Sequence, residues 1–103
     1  MMFRQIAAVL VVALPTLVAA QGQEALHVRS LAATCASCHG TNGQAAEGSV
    51  LPSLSGTPRA HMIAQMAAFK SGTRSATVMH QLSKGYTDAQ IAQLADYFAA
   101  QQR

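Results

Sequence analysis

Cys35-Ala36-Ser37-Cys38-His39 decides how the rest of this chain is read. Two thiols separated by two residues and followed at once by a histidine form the attachment pattern for a covalently bound haem c. Residues three apart lie on one face of a helical turn, so both sulfurs reach the two vinyl groups along one porphyrin edge. The histidine, one step further round, swings beneath the iron as the proximal axial ligand. The sequence holds no other cysteine, so the motif takes the whole thiol supply.

Three other uses of these residues have different signatures. A thioredoxin-like dithiol opens a helix after a strand, whereas Ala25 to Thr34 is helix-like and shows no alternating apolar run. A structural zinc site needs a fourth ligand and usually a second paired motif. His27, His61 and His80 show no paired spacing with the cysteines. A disulfide across Cys35 and Cys38 leaves His39 without a role.

The first twenty residues read as an export leader. Arg4 supplies a positive start, Ile6 to Leu17 an apolar run, and Val18-Ala19-Ala20 a small-residue cleavage site before Gln21. A transmembrane helix needs about 20 apolar residues. This run is shorter and Pro15 interrupts it, so an uncleaved anchor is the alternative to a cleaved leader. Haem c is attached outside the bacterial cytoplasm, so leader and motif agree. The expectation is a cleaved secretory signal peptide over residues 1–20 and a periplasmic product with no membrane span.

Residues 21–103 leave room for a single mono-haem domain and no more. Chains of this size bury a modest core and usually need a staple. The haem is the expected staple, an apolar disc around which short helices pack, and without it the chain is expected to be largely unfolded or molten. Six basic side chains stand against Glu24, Glu47, Asp88 and Asp96, a net charge of +2 before the haem propionates are counted. With no basic run, this balance does not point to nucleic acid.

Helix signals recur along the domain. Residues 25–38 read as a first helix with Leu26, Leu31 and Ala32 on an inner face. Gly40 to Gly56 is rich in Gly, Asn, Ser and Pro, which is loop chemistry. Thr57-Pro58 reads as an N-cap followed by a proline in the first helical position. The helix after it carries Met62, Met66 and Phe69 on one stripe and stops at Gly72. Thr73 to Tyr86 is irregular and contains Met79 and His80. Thr87-Asp88-Ala89-Gln90 is a capping box, and the helix it opens has Ile91, Leu94, Ala95 and Phe98 on a single face. No strand pattern or repeat appears. The pattern predicts an all-α domain of three to four helices around one covalently bound haem.

The iron's sixth position is open to methionine, histidine, water or nothing. Met62 and Met66 lie on the apolar stripe, where methionine fills core space. Met79 lies in a loop between helices, where the backbone can carry a side chain over the haem face. His80, next to it, reads first as a partly exposed histidine near the haem edge, with competition for the iron as its alternative role; His27 and His61 read as surface residues. Pro52 lies in a loop about a dozen residues after His39. An axial histidine donates its other ring N–H to a carbonyl, which orients it and raises its basicity. A carbonyl of that loop is a candidate for this purpose, stiffened by the proline; the alternative reading of Pro52 is a plain turn residue.

With these features placed, the mature region resembles a class I cytochrome c. Leu31 to Gly40 is similar to the haem-attachment helix of small bacterial members, and Pro52-Ser53-Leu54-Ser55-Gly56 to their Pro-x-Leu-x-Gly loop. Tyr86 to Phe98 resembles their C-terminal helix. The resemblance implies that Met79 is the axial methionine and that the Pro52 carbonyl bonds His39. Many small relatives carry a proline two residues beyond that methionine, where this chain has Gln81.

A narrower likeness joins Phe69-Lys70-Ser71-Gly72, Ala76 to Gln81 and Lys84-Gly85-Tyr86-Thr87. These segments are similar to the cytochrome subunits of flavocytochrome c sulfide dehydrogenases. That resemblance implies an FAD-containing flavoprotein partner that oxidises sulfide and passes electrons to the haem. The expected activity is one-electron transfer by iron held between His39 and Met79, with no substrate chemistry of its own. Arg59, Lys70, Arg74 and Lys84 are candidates for the rim that meets a partner or for propionate pairing. A stand-alone shuttle to a terminal oxidase or reductase is the alternative, and a ligand sensor with an open iron is a third reading.

Overall fold

The computed structural model describes the backbone of residues 3–103 and the side chains of residues 17–103. Met1, Met2 and the side chains of Arg4 and Ile6 to Thr16, most of the expected leader, therefore lie outside the described residues. Five α-helices follow in order: α1 Phe3–Ala33, α2 Ala36–His39, α3 Arg59–Ser71, α4 Met79–Leu82 and α5 Asp88–Ala99. Two 3-10 turns, Thr41–Gly43 and Ser83–Gly85, link them, and no strand occurs among the described residues. The all-α expectation holds, with three long helices and two single turns.

The last helix forms as its sequence dictates. Thr87 Oγ1 accepts from the Gln90 backbone N–H at 3.1 Å while the Gln90 side chain accepts from the Thr87 N–H at 2.9 Å. Ile91, Leu94, Ala95 and Phe98 are all buried. This face packs against α3 and α1. Phe98, 1% exposed, is at the centre of the core with Ala32, Met62, Leu94 and Ala95 around it.

The helix bounds differ from expectation in several places: α1 runs from Phe3 rather than residue 25, and α4 with the turn 83–85 occupies a stretch expected to be irregular. Helix α3 starts at Arg59, because Pro58 takes φ −55°, ψ 136° and is itself the N-cap, so Thr57 makes no cap. Its far end is as expected, with Gly72 in the left-handed region at φ 80°. The single helix expected over residues 25–38 is two helices. Thr34 Oγ1 donates to the Leu31 carbonyl at 2.7 Å, and the backbone N–H groups of Thr34 and Cys35 close tight bonds to Leu31 and Ala32. A hydroxyl competing for helix carbonyls disrupts the ladder, and α2 restarts one turn on with the motif.

Towards its N-terminus α1 leaves the core. Leu17 and Val18 are exposed, and so is Leu26, which the sequence pattern put on an inner face. Contact with the last helix begins by Glu24, whose carboxylate accepts from Gln93 Nε2 at 2.8 Å, and Ala32 is buried. A helix of this length runs about 46 Å at 1.5 Å per residue, which accounts for the 70 × 30 × 20 Å envelope. Among the described residues no helix is long and apolar enough to cross a membrane.

Candidate metal centre

Glycine geometry turns the chain sharply after His39. Gly40 has φ 88°, and a Cβ there would lie 1.8 Å from the Gln44 carbonyl oxygen. Gly43, at φ 75°, is buried against Phe98 and Leu54, where a Cβ would come within 2.9 Å of both side chains. Its carbonyl accepts from the backbone N–H groups of Leu54 at 2.7 Å and Ser55 at 3.1 Å. Ala45 N–H donates to Ser53 Oγ at 2.9 Å. These bonds fold the loop around Pro52 back onto the motif helix.

The result is a direct bond from the histidine to the loop. His39 Nδ1 lies 2.7 Å from the Pro52 carbonyl oxygen. A carbonyl only accepts, so Nδ1 carries the proton and Nε2 keeps its lone pair. That is the tautomer a metal ligand needs, and its orientation is fixed from behind.

Cys35 and Cys38 are both free thiols, the first half-buried and the second exposed. Burial pushes the Cys35 thiol up from its ordinary range, with the Thr34 hydroxyl at 4.0 Å pulling weakly the other way. Thr34 Oγ1 is also 2.7 Å from the Tyr86 hydroxyl, which ties the motif to the start of the last helix. Tyr97 donates to Asn42 Oδ1 at 2.6 Å and pins the turn after His39 to α5.

Met79 and His80 are on a separate segment, the first two residues of α4, which packs on α3. Both are half-buried. Met62 is buried in the core, Met66 packs against it, and His27 and His61 are exposed, as expected for core filling and surface positions. The four candidate rim cations differ in their engagements. Arg59 pairs with Asp96 at 2.7 Å, and Lys70 lies 3.6 Å from Asp88 while donating to the Tyr86 carbonyl. Arg74 stacks over the Phe69 ring and bonds Gln65, and Lys84 is exposed on the turn 83–85.

The donor set fits a tethered haem better than the rival uses. Two unpaired thiols lie one turn apart beside an imidazole with a free Nε2. Among the described residues no three or more His, Cys, Asp and Glu side chains converge as a metal cage would require, which disfavours tetrahedral zinc. Exposed apolar side chains adjoin the Pro52 loop and Met79 in sequence: Val50 and Leu51 before Pro52, Val78 and Leu82 around Met79. Such side chains suit the face of an apolar macrocycle. A polar hollow of about 500 Å³, lined by Gln44, Ser53, Ser55, Thr57 and Arg103, holds none of the motif side chains. The pattern-based reading missed Gly43, Ser53 and the Thr34–Tyr86 pair. The Gly40-x-x-Gly43 spacing after the histidine was the available signal for the first.

Comparison with known proteins agrees with this geometry. The cytochrome c family model matches residues 25–101. The cytochrome subunit of sulfide dehydrogenase from Chlorobaculum tepidum is 41% identical over 68 residues, covering 66% of this chain and 60% of that protein. The thiosulfate dehydrogenase electron acceptor of Thiomonas intermedia is 34% identical over 68 residues, covering 66% of this chain and 31% of that protein. Cytochrome c-554(548) of Halomonas halodenitrificans is 32% identical over 72 residues, 67% of this chain and 86% of that protein. The chain thus spans less than two thirds of the first two relatives and most of the third. With the motif, the His39–Pro52 bond and the capped last helix all inside the matched region, the chain belongs to the cytochrome c family and takes covalently bound haem c, with its iron, as cofactor.

Proposed function

We propose that this chain is a periplasmic one-electron carrier that acts as the haem subunit of a sulfide dehydrogenase, accepting electrons from an FAD-containing flavoprotein. In this reading residues 1–20 are removed on export and residues 21–103 form the single mono-haem domain. Bound haem c supplies a one-electron Fe(III)/Fe(II) couple.

The chain's own residues set the conditions for that couple. Cys35 and Cys38 tether the cofactor through thioether bonds. His39 offers Nε2 from one side, and the Pro52 carbonyl, 2.7 Å from Nδ1, holds the ring in place and makes it a stronger donor. Met79 would hold the iron through its thioether, which would favour the reduced state and raise the potential. With His39 and Met79 both holding the iron, the haem would supply electron transfer alone, with no bond made or broken in a substrate.

The observation that carries the electron-transfer reading is the His39–Pro52 bond, since it fixes the ligand tautomer before any cofactor is considered. A place in a sulfide dehydrogenase is supported by the likeness to the Chlorobaculum tepidum cytochrome subunit; the FAD partner rests on the resemblance of residues 69–87 to flavocytochrome c subunits. A stand-alone shuttle has its own support in the cytochrome c-554(548) match, which spans 86% of a relative of similar size. Purification of the haem protein from periplasm separates the two. An FAD protein that travels with it and reduces it on addition of sulfide supports the subunit reading; a haem protein that elutes alone and is not reduced supports the shuttle. Carbon monoxide binding to the reduced wild-type protein at neutral pH would overturn both in favour of an open, ligand-sensing iron.

A further inference from the structure

His80 carries the one buried side-chain polar atom without a hydrogen-bond partner among the described residues: its Nδ1 is sealed from solvent. An orphaned buried N–H is rarer in proteins than an under-used acceptor. The proton of the neutral ring therefore belongs on Nε2, and Nδ1 keeps a free lone pair inside the domain. A neutral imidazole nitrogen with a free lone pair is a metal ligand by its nature.

Its position gives that nitrogen a use. His80 directly follows Met79 on α4, a helix of one turn whose N-cap, Val78, supplies no side-chain bond. So short a helix has little stability of its own, and the residues leading into it, Thr77 and Val78, are exposed. Gln81 donates its backbone N–H to the Val78 carbonyl at 3.0 Å, closing a turn that a proline at this position could not close. Successive residues on a helix point about 100° apart. A rotation of this single turn by that angle exchanges the methionine for the histidine.

We propose that His80 is a reserve distal ligand: when the Met79 sulfur is not on the iron, His80 takes the sixth position and keeps the iron closed to outside ligands. This rests on the assignment of Met79 as the resident ligand. The test uses the exported haem-loaded protein and its Met79→Ala and Met79→Leu variants, the second keeping the volume of the side chain if the first fails to fold. Each is examined by electron paramagnetic resonance in the oxidised state and by carbon monoxide addition in the reduced state. The expected result for each is a low-spin, bis-histidine signal and, as in the parent, no carbon monoxide binding. Adding His80→Ala to either variant converts it to a high-spin form that binds carbon monoxide. A Met79 variant that is high-spin and binds carbon monoxide with His80 in place overturns the proposal. A wild-type protein without the far-red sulfur–iron charge-transfer band overturns the Met79 assignment instead, and the proposal with it.

Discussion

The bond from His39 Nδ1 to the Pro52 carbonyl is a 2.7 Å contact between a motif of fixed spacing and a loop thirteen residues away. Replacing Pro52 by alanine leaves the carbonyl but frees the backbone that aims it. The expected cost is about 0.4–1 kcal/mol of stability through the unfolded chain. A loosened bond also makes the imidazole a weaker donor to ferric iron, so the reduction potential rises; a redox titration that shows it unchanged or lowered contradicts this. Gly43→Ala is more damaging. It forces a side chain into a left-handed position, at about 1–2 kcal/mol, and into the Phe98 and Leu54 contacts, at about 1–3 kcal/mol more. Its thermal melt should fall well below that of the parent. At this scale the plainest signal in the sequence was the spacing of Cys35, Cys38 and His39, because covalent attachment would dictate it. Pro52 was legible as a stiff residue in the right loop, while the need for glycine at position 43 arises only once α5 places Phe98 above it.

Among the elements, α5 was the most legible, since its start is specified by two reciprocal bonds within four residues and its face by four apolar positions. Thr87→Ala removes one of those bonds and is expected to cost about 1 kcal/mol. In the haem-loaded protein that amounts to a fall in melting temperature of roughly 4–8 °C for a domain of this size. A melt within error of the parent would show that tertiary packing alone holds the helix end. The α1–α2 break was not legible because Thr34 reads equally well as a helix residue. What decides it is the hydroxyl's bond back to Leu31 and its contact with Tyr86, 52 residues away. Thr57 failed as a cap for a related reason: Pro58 adopts an extended ψ and takes the boundary itself.

At the scale of the molecule, the buried apolar side chains among the described residues are few and gather where α1, α3 and α5 meet. Small domains with a thin core depend on a brace, and in the proposed reading that brace is a haem joined through Cys35 and Cys38. The double variant Cys35→Ala/Cys38→Ala is expected to lose fixed tertiary structure while keeping much of its helix, seen as a lost near-ultraviolet circular dichroism signal with a retained far-ultraviolet one. A variant with an intact near-ultraviolet signal would show that the helices hold without the tether. Intact-mass spectrometry of the protein recovered from the periplasm tests the whole account most directly. The account predicts a single species with the mass of residues 21–103 plus one haem, unchanged by acid and organic solvent. A species with the mass of the polypeptide alone would contradict it.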